Sequence, residues 1–425
     1  MKREEIAPGV RCTACTDAKF RSCLLELNFL IPAEKRTAEL SPCYALLCDL
    51  LTASTKRCPS RADLTEQLDA LYAADLTAHL TSCGDALMLT VSAEWLDDSF
   101  SPDGTAVTAE MLALVYDCLH DPNAENGAFD AEEFRLCMQN LLDDIDCEQN
   151  DKRSFLLQKA AEQAYAGEPA ALPPYGTRAA AEQITPQAAY AVWRDMMLHT
   201  AVDAVCVSPR ELPAAGEMLT RLFAERETAV PFPQLAAPGR KKPAPQFYTE
   251  DTDAVQSKLC AVYQYDSIPQ DTARLLNAVL GTAPNALLFR DLREKLGLCY
   301  YCTSSVSLLK SSLTVDLGVR TDQIEAAQRG IEAEIAAIRR GDFPDALLEE
   351  AKRWLAYQDA VGADSTGGIA AASMRHTLYG DDRTAAERRD AVQQITREML
   401  TDAAKQLRLG TVCVLRGTLR EGAVS

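Results

Sequence analysis

The chain has 425 residues, 47% hydrophobic and 25% charged, which excludes a disordered or low-complexity scaffold. Asp and Glu number 62 against 43 Lys and Arg, a net charge of −19; such a surface repels phosphate backbones and anionic headgroups, so no nucleic acid and no membrane is expected as a partner. No run reaches the roughly 20 apolar residues of a membrane span, and the best, Tyr44 to Leu51, is broken by Asp49.

The first residues, Met1 to Glu5, lead into no apolar segment, and the 15 cysteines are odd in number and irregular in spacing. The expectation is a reduced, cytoplasmic protein. Cys12 and Cys15 sit in a strand-like segment, where residues three apart point to opposite faces, and read as small buried hydrophobes. Ser41-Pro42 reads as an N-cap with proline at the first helical position, ahead of Leu46, Leu47, Leu50 and Leu51. Ser60 with Asp63 caps the next helix, whose Leu64, Leu68 and Leu71 share a face. The alternating run Leu87 to Val91 then predicts a strand, and Ala204 to Val207 another.

Pro231, Pro233, Pro238, Pro243 and Pro245 crowd beside the basic run Arg240-Lys241-Lys242. Prolines remove backbone donors and favour extended chain, so 226–256 reads as a linker between domains at 1–225 and 257–425. The second half repeats the first. Asp63, Leu64, Glu66, Leu68 and Tyr72 match Asp291, Leu292, Glu294, Leu296 and Tyr300 at one constant offset. The strand Leu313 to Leu317 matches Leu87 to Val91 at an offset two residues shorter. Gly127, Phe129 and Glu132-Glu133 match Gly341, Phe343 and Glu349-Glu350, and Thr411 to Val414 matches Ala204 to Val207. Each copy runs strand, helix, strand hairpin, two helices, strand. The expected fold class is α+β: two homologous two-layer α/β sandwich domains, each a mostly antiparallel sheet flanked by helices.

Nucleophile and nucleotide motifs are absent: there is no G-x-S-x-G elbow, P-loop or G-x-G-x-x-G. The four histidines, His79, His120, His199 and His376, include no pair spaced for a helical metal site. The segment Leu46 to Ser60, with Thr55, Pro59 and Ser60, resembles the metal-binding helix and following loop of the M16 (insulinase, pitrilysin, mitochondrial processing peptidase) metallopeptidases. There the helix carries H-x-x-E-H. Aligned on those flanks, the first histidine falls on Ala45, the glutamate base on Cys48, the second histidine on Asp49, and the distal glutamate ligand near Asp144. Leu292-Arg293-Glu294-Lys295-Leu296-Gly297-Leu298-Cys299-Tyr300 resembles the family's L-R-E-K-x-G-L-A-Y signature.

A zinc hydrolase needs three protein ligands, an open position for water and a base. Ala45 coordinates nothing, and two short carboxylates without imidazole favour hard cations weakly. The resemblance therefore implies degenerate metal-site positions at Ala45, Cys48, Asp49 and Asp144, no catalytic residue, and no metal or other cofactor in this chain. A rearranged Cys48/Asp49/Asp144 site is the alternative for an active hydrolase. The resemblance also implies substrate-positioning roles for Arg293 and Tyr300, since in the family this pair orients the substrate backbone from the half that lacks the metal. It implies as partners a homologous active M16 peptidase subunit, which would hold the zinc, and an extended peptide. A finer likeness, at Leu141 to Ile145, Asn150 to Ser154 and Pro174 to Thr177, is to the inactive bacterial partner linked to 5-aminopentanol modification of elongation factor P. A stand-alone peptide-binding module is the competing reading.

Overall fold

The computed structural model describes residues 2–418. They form two compact units, and each unit draws on both halves of the chain. The first takes the chain up to Cys147, Leu172–Leu235 and Gly362–Asp381; the second takes Glu148–Ala171, Ala236–Val361 and the chain from Asp382 on.

The first unit holds β1 (Lys2–Ala7), β2 (Val10–Thr16), β3 (Ser22–Ile31), β4 (Asp75–Cys83) and β5 (Ala86–Leu96). A short ribbon, β6 (Ala124–Glu125) with β7 (Ala128–Phe129), precedes β8 (Ala201–Ser208). The main sheet has the order β1-β2-β8-β3-β5-β4. Only the β2–β8 pair is parallel. The second unit holds β9 (Gln246–Thr252), β10 (Ser257–Gln264), β11 (Cys299–Ser307), β12 (Ser312–Val319) and β13 (Arg408–Gly417), in the order β11-β12-β10-β13-β9. Again one pair, β9–β13, is parallel and the others antiparallel. Counted from its parallel pair, each sheet runs β2-β8-β3-β5-β4 or β9-β13-β10-β12-β11, which is the expected duplication. The α+β class with helix-flanked sheets is what the chain adopts.

The sequence's local signals account for most elements. Ser60 and Asp63 form a reciprocal capping box, with Asp63 N donating to Ser60 Oγ at 3.2 Å and Ser60 N to Asp63 Oδ2 at 3.0 Å. The isoleucine stripe of helix Ile324–Arg340 is buried at Ile331, Ile335 and Ile338, and Gly341 ends that helix in the left-handed region at φ +71°. Two details differ. Ser41 is not the cap: its N–H already bonds to Thr37 O at 3.0 Å, so the turn starts earlier and Leu40 takes the cap position. The stretch read as linker contains β9, which pairs along β13; the irregular part is 226–245, and its first residue, Arg226, is buried with Nε donating to Met197 O at 2.8 Å.

Each sheet is apolar on both faces. The principal face of the first packs against helices that include Ser41–Ala53, Val107–His120 and Pro186–His199. Its other face presents Cys15, Leu24, Val205 and Val207, covered by Ala370 and Met374 of helix Thr366–Tyr379. Polar contacts hold that helix: Thr377 donates to buried Asp203, and Arg3 donates to Ser373 O at 3.3 Å. In the second unit the equivalent face, with Cys260, Val262, Cys413 and Leu415, is covered by Leu156, Ala160 and Ala164 of helix Lys152–Ala164. Arg153 bonds Asp316 at 2.7 Å there, and Lys310 bonds Glu168 at 2.8 Å. Both partners of the Lys310–Glu168 pair have their side chains nearly sequestered from water, 3% and 7% exposed.

Removing one member of a buried pair strands the other's charge, at a cost of about 3–5 kcal/mol. Lys310→Met is therefore expected to lower the unfolding free energy by about that amount, and Lys310→Met with Glu168→Gln to recover much of it, as read by urea denaturation.

Candidate functional site

The helix Ser41–Ala53 is apolar almost all round, as a core helix must be, and ten of its residues are buried. Ala45 packs its methyl against the apolar cluster. Cys48, 8% exposed, donates its thiol back to Tyr44 O at 3.5 Å, and burial with the nearby Asp49 charge pushes its pKa up to about 12. It is a neutral thiol at neutral pH, neither a thiolate ligand nor a base. Asp49 is half-buried, and its Oδ2 accepts from Asn140 Nδ2 at 3.3 Å.

Asn140 lies on helix Ala131–Cys147, on one face with Glu133 and Cys137 at helical spacing. Burial raises the Cys137 thiol to about 12, with Asp49 and then Glu133 adding to it; Arg61 donates to its sulfur at 3.9 Å. Burial also raises the Glu133 carboxyl, against the opposing charge of Arg61. Asp144 is exposed, one turn beyond Asn140 on the same face. The residue that meets Asp49 is thus Asn140. The sequence reading missed Asn140, Glu133 and Cys137, although their spacing of four and then three residues marks one helix face.

This donor set does not fit a catalytic zinc. Ala45 has no lone pair, the Cys48 thiol is protonated and bonded into its own helix, and Asp49 is engaged by an amide. Among the described residues no three His, Cys, Asp or Glu side chains converge in a way that could hold a metal ion.

The second-half motif is arranged differently. Leu288–Lys295 is a π-helical turn, anchored by buried Leu288 and Leu292. Wide turns of this kind re-aim side chains at functional sites. Arg293 is exposed, with its guanidinium 4.9 Å from the Phe289 ring and 3.6 Å from an equally exposed Glu294. An exposed pair at that distance binds the arginine weakly. The chain then passes Gly297, at φ +61°, into β11, the edge strand of its sheet. There Cys299 lies opposite Val319 and Tyr301 opposite Gly318, leaving Tyr300 as the extra residue of a β-bulge, 47% exposed. Tyr301 packs its ring 4.9 Å from Lys258 Nζ, where a Cβ on Gly318 would come within 2.7 Å of it. The Arg293 charge acts on Cys299, the residue before Tyr300.

Arg290, Asp291 and Lys295 of the same turn line a cleft of about 770 Å³ with Glu334, Arg340 and Arg397. Burial, reinforced by Asp291, raises the Glu334 carboxyl to about 7.

Residues 204–355, which contain this second-half motif, match the family model described as the Peptidase M16 inactive domain. Over 409 residues, 95% of both chains, the protein is 23% identical to "Probable inactive metalloprotease YmfF" of Bacillus subtilis. Its fold is that of a conserved protein from Enterococcus faecalis, at TM-score 0.88 and 23% identity over 98% of each chain. It also superposes on a peptidase M16 inactive domain from Pseudomonas fluorescens, at TM-score 0.80 and 15% identity over 99% of this chain and 98% of that one. Residues 204–355 thus match an M16 inactive domain, and the chain as a whole is similar in sequence to a probable inactive metalloprotease and has the fold of an M16 inactive-domain protein. No helix among the described residues is long and apolar enough to cross a membrane.

Two outcomes follow. A carboxyl whose folded pKa is raised destabilises the fold progressively as pH rises from its ordinary 4.5 through about 7. Glu334→Gln is expected to raise the melting temperature above about pH 7 and to leave it unchanged below pH 4.5. Ala45→His, Cys48→Glu and Asp49→His together are expected to bind zinc when combined with Asn140→Glu. The triple substitution alone, with Asp144 as the remaining acid, is expected to bind it far more weakly, as measured by calorimetry.

Proposed function

We propose that this chain is a non-catalytic M16 subunit that positions an extended peptide for a homologous partner carrying an intact H-x-x-E-H and its zinc. One contrast carries the reading: Cys48 is buried and neutral and Asp49 is engaged by Asn140, whereas Arg293 and Tyr300 stand exposed on a wide turn and a bulge, with no strong partner. An arginine polarises a peptide carbonyl, and a tyrosine hydroxyl donates to a developing oxyanion. Any hydrolysis belongs to the assembled pair in the cytoplasm, and the zinc belongs to the partner. The finer likeness noted in the sequence makes modification of elongation factor P one setting for such a pair.

A second reading rests on β11 being an edge strand, whose outer backbone groups are open to strand addition by a peptide without any peptidase. Co-expression with a homologous zinc peptidase from the same source separates the two. Under the first reading the chains co-purify, and Tyr300→Phe lowers the pair's kcat about 10²-fold, with Arg293→Ala acting in the same direction. A chain that stays alone and binds peptide regardless of chelators supports the second.

A further inference from the structure

Cys299 and Cys302 have no role in the reading above, and their spacing in a regular strand would set them on opposite faces. The bulge reverses this. Cys299 lies opposite Val319 and Cys302 opposite Leu317, which are alternate residues on one face of β12. Both cysteines accordingly pack into one apolar cluster that also contains Leu317 and Val319. Cys12 and Cys15 have the same spacing in β2, but their register with β8 is unbroken, and they fall into two different clusters.

Neighbouring positions on one face of a strand are roughly 6.6 Å apart. That lies within the Cα separation a disulfide accepts, roughly 4.4–6.8 Å. The neighbouring Cys302, with the Arg293 charge, holds the Cys299 thiol below its ordinary value, and the neighbouring Cys299, with burial, raises that of Cys302. Cys299 is buried and Cys302 partly exposed.

We propose that Cys299 and Cys302 form a reversible disulfide across the bulge that carries Tyr300, by exchange with small disulfides of the glutathione class. Cys302, the accessible thiol, reacts first: it loses its proton to solvent, its sulfur bonds to one sulfur of the small disulfide, the original S–S bond breaks, and the expelled thiolate takes up a proton. The Cys299 sulfur then attacks the Cys302 sulfur, the mixed disulfide breaks, and the second small thiol leaves with the Cys299 proton. Two protein thiols are oxidised and one small disulfide is reduced to two thiols. The new bond ties the residue before Tyr300 to the residue after Tyr301, so it fixes the bulge between them.

The test uses the full chain, treated with oxidised glutathione under native conditions, alkylated and digested with trypsin. The peptide from Leu296 to Lys310 carries both cysteines. The expected result is loss of both alkyl adducts from that peptide, a mass lower by two hydrogens than the reduced form, and return of both adducts after dithiothreitol. Cys299→Ser is expected to accumulate a stable glutathione adduct on Cys302 that the wild type does not. Should that variant fail to fold, Cys302→Ser is expected to leave Cys299 without any adduct. The proposal is overturned if both wild-type thiols remain alkylated after oxidation, if wild-type Cys302 keeps its glutathione adduct, or if either cysteine links to a cysteine outside this peptide.

Discussion

Each unit is governed by a sheet that is apolar on both faces, so that helices on one side alone would leave the other wet. β8 is buried at every position from Ala201 to Ser208, which a sheet with one solvated face does not allow. The helices next in sequence cover one face, and the second is covered by a helix from the other half of the chain. Burying a leucine such as Leu156 in this way is worth about 1.5–3 kcal/mol. The polar anchors, Thr377 on Asp203 and Lys310 on Glu168, add orientation to a docking that apolar contact drives.

The same core logic bears on the first-half helix. A helix buried on nearly all sides gains nothing from imidazole or carboxylate groups unless a metal satisfies them, because each unsatisfied buried polar group is costly. Alanine is the best helix former, and a protonated cysteine behaves as a small hydrophobe. Ala45 and Cys48 are therefore consistent with a helix kept for packing. The remaining acid, Asp49, is half-buried and has an amide partner in Asn140.

At the second-half site two local irregularities act together. The π-helical turn widens the helix that carries Arg293, and the bulge adds one residue to β11. Without the bulge, Tyr300 would take Tyr301's place in the ladder, and the two cysteines would fall on opposite faces. The one-residue insertion thus decides which ring faces solvent and which packs beneath Lys258.

The sequence alone carried the duplication, the α+β class and the capping box at Ser60. Each of these is a short-range pattern of side-chain period or backbone capping. It also carried the absence of a donor at Ala45 and the L-R-E-K motif around Arg293, because chemistry is legible wherever identity alone decides it. It misplaced the start of the first helix, hid β9 inside a proline-rich stretch, and did not show that Asn140 meets Asp49. The helix start is decided locally, by Ser41 N bonding to Thr37 O, but strand pairing, helix-to-helix register and the covering of a second sheet face are set between segments far apart in the chain. The bulge at Tyr300 is of the same kind, since an extra residue in one strand exists only relative to the partner that lacks it.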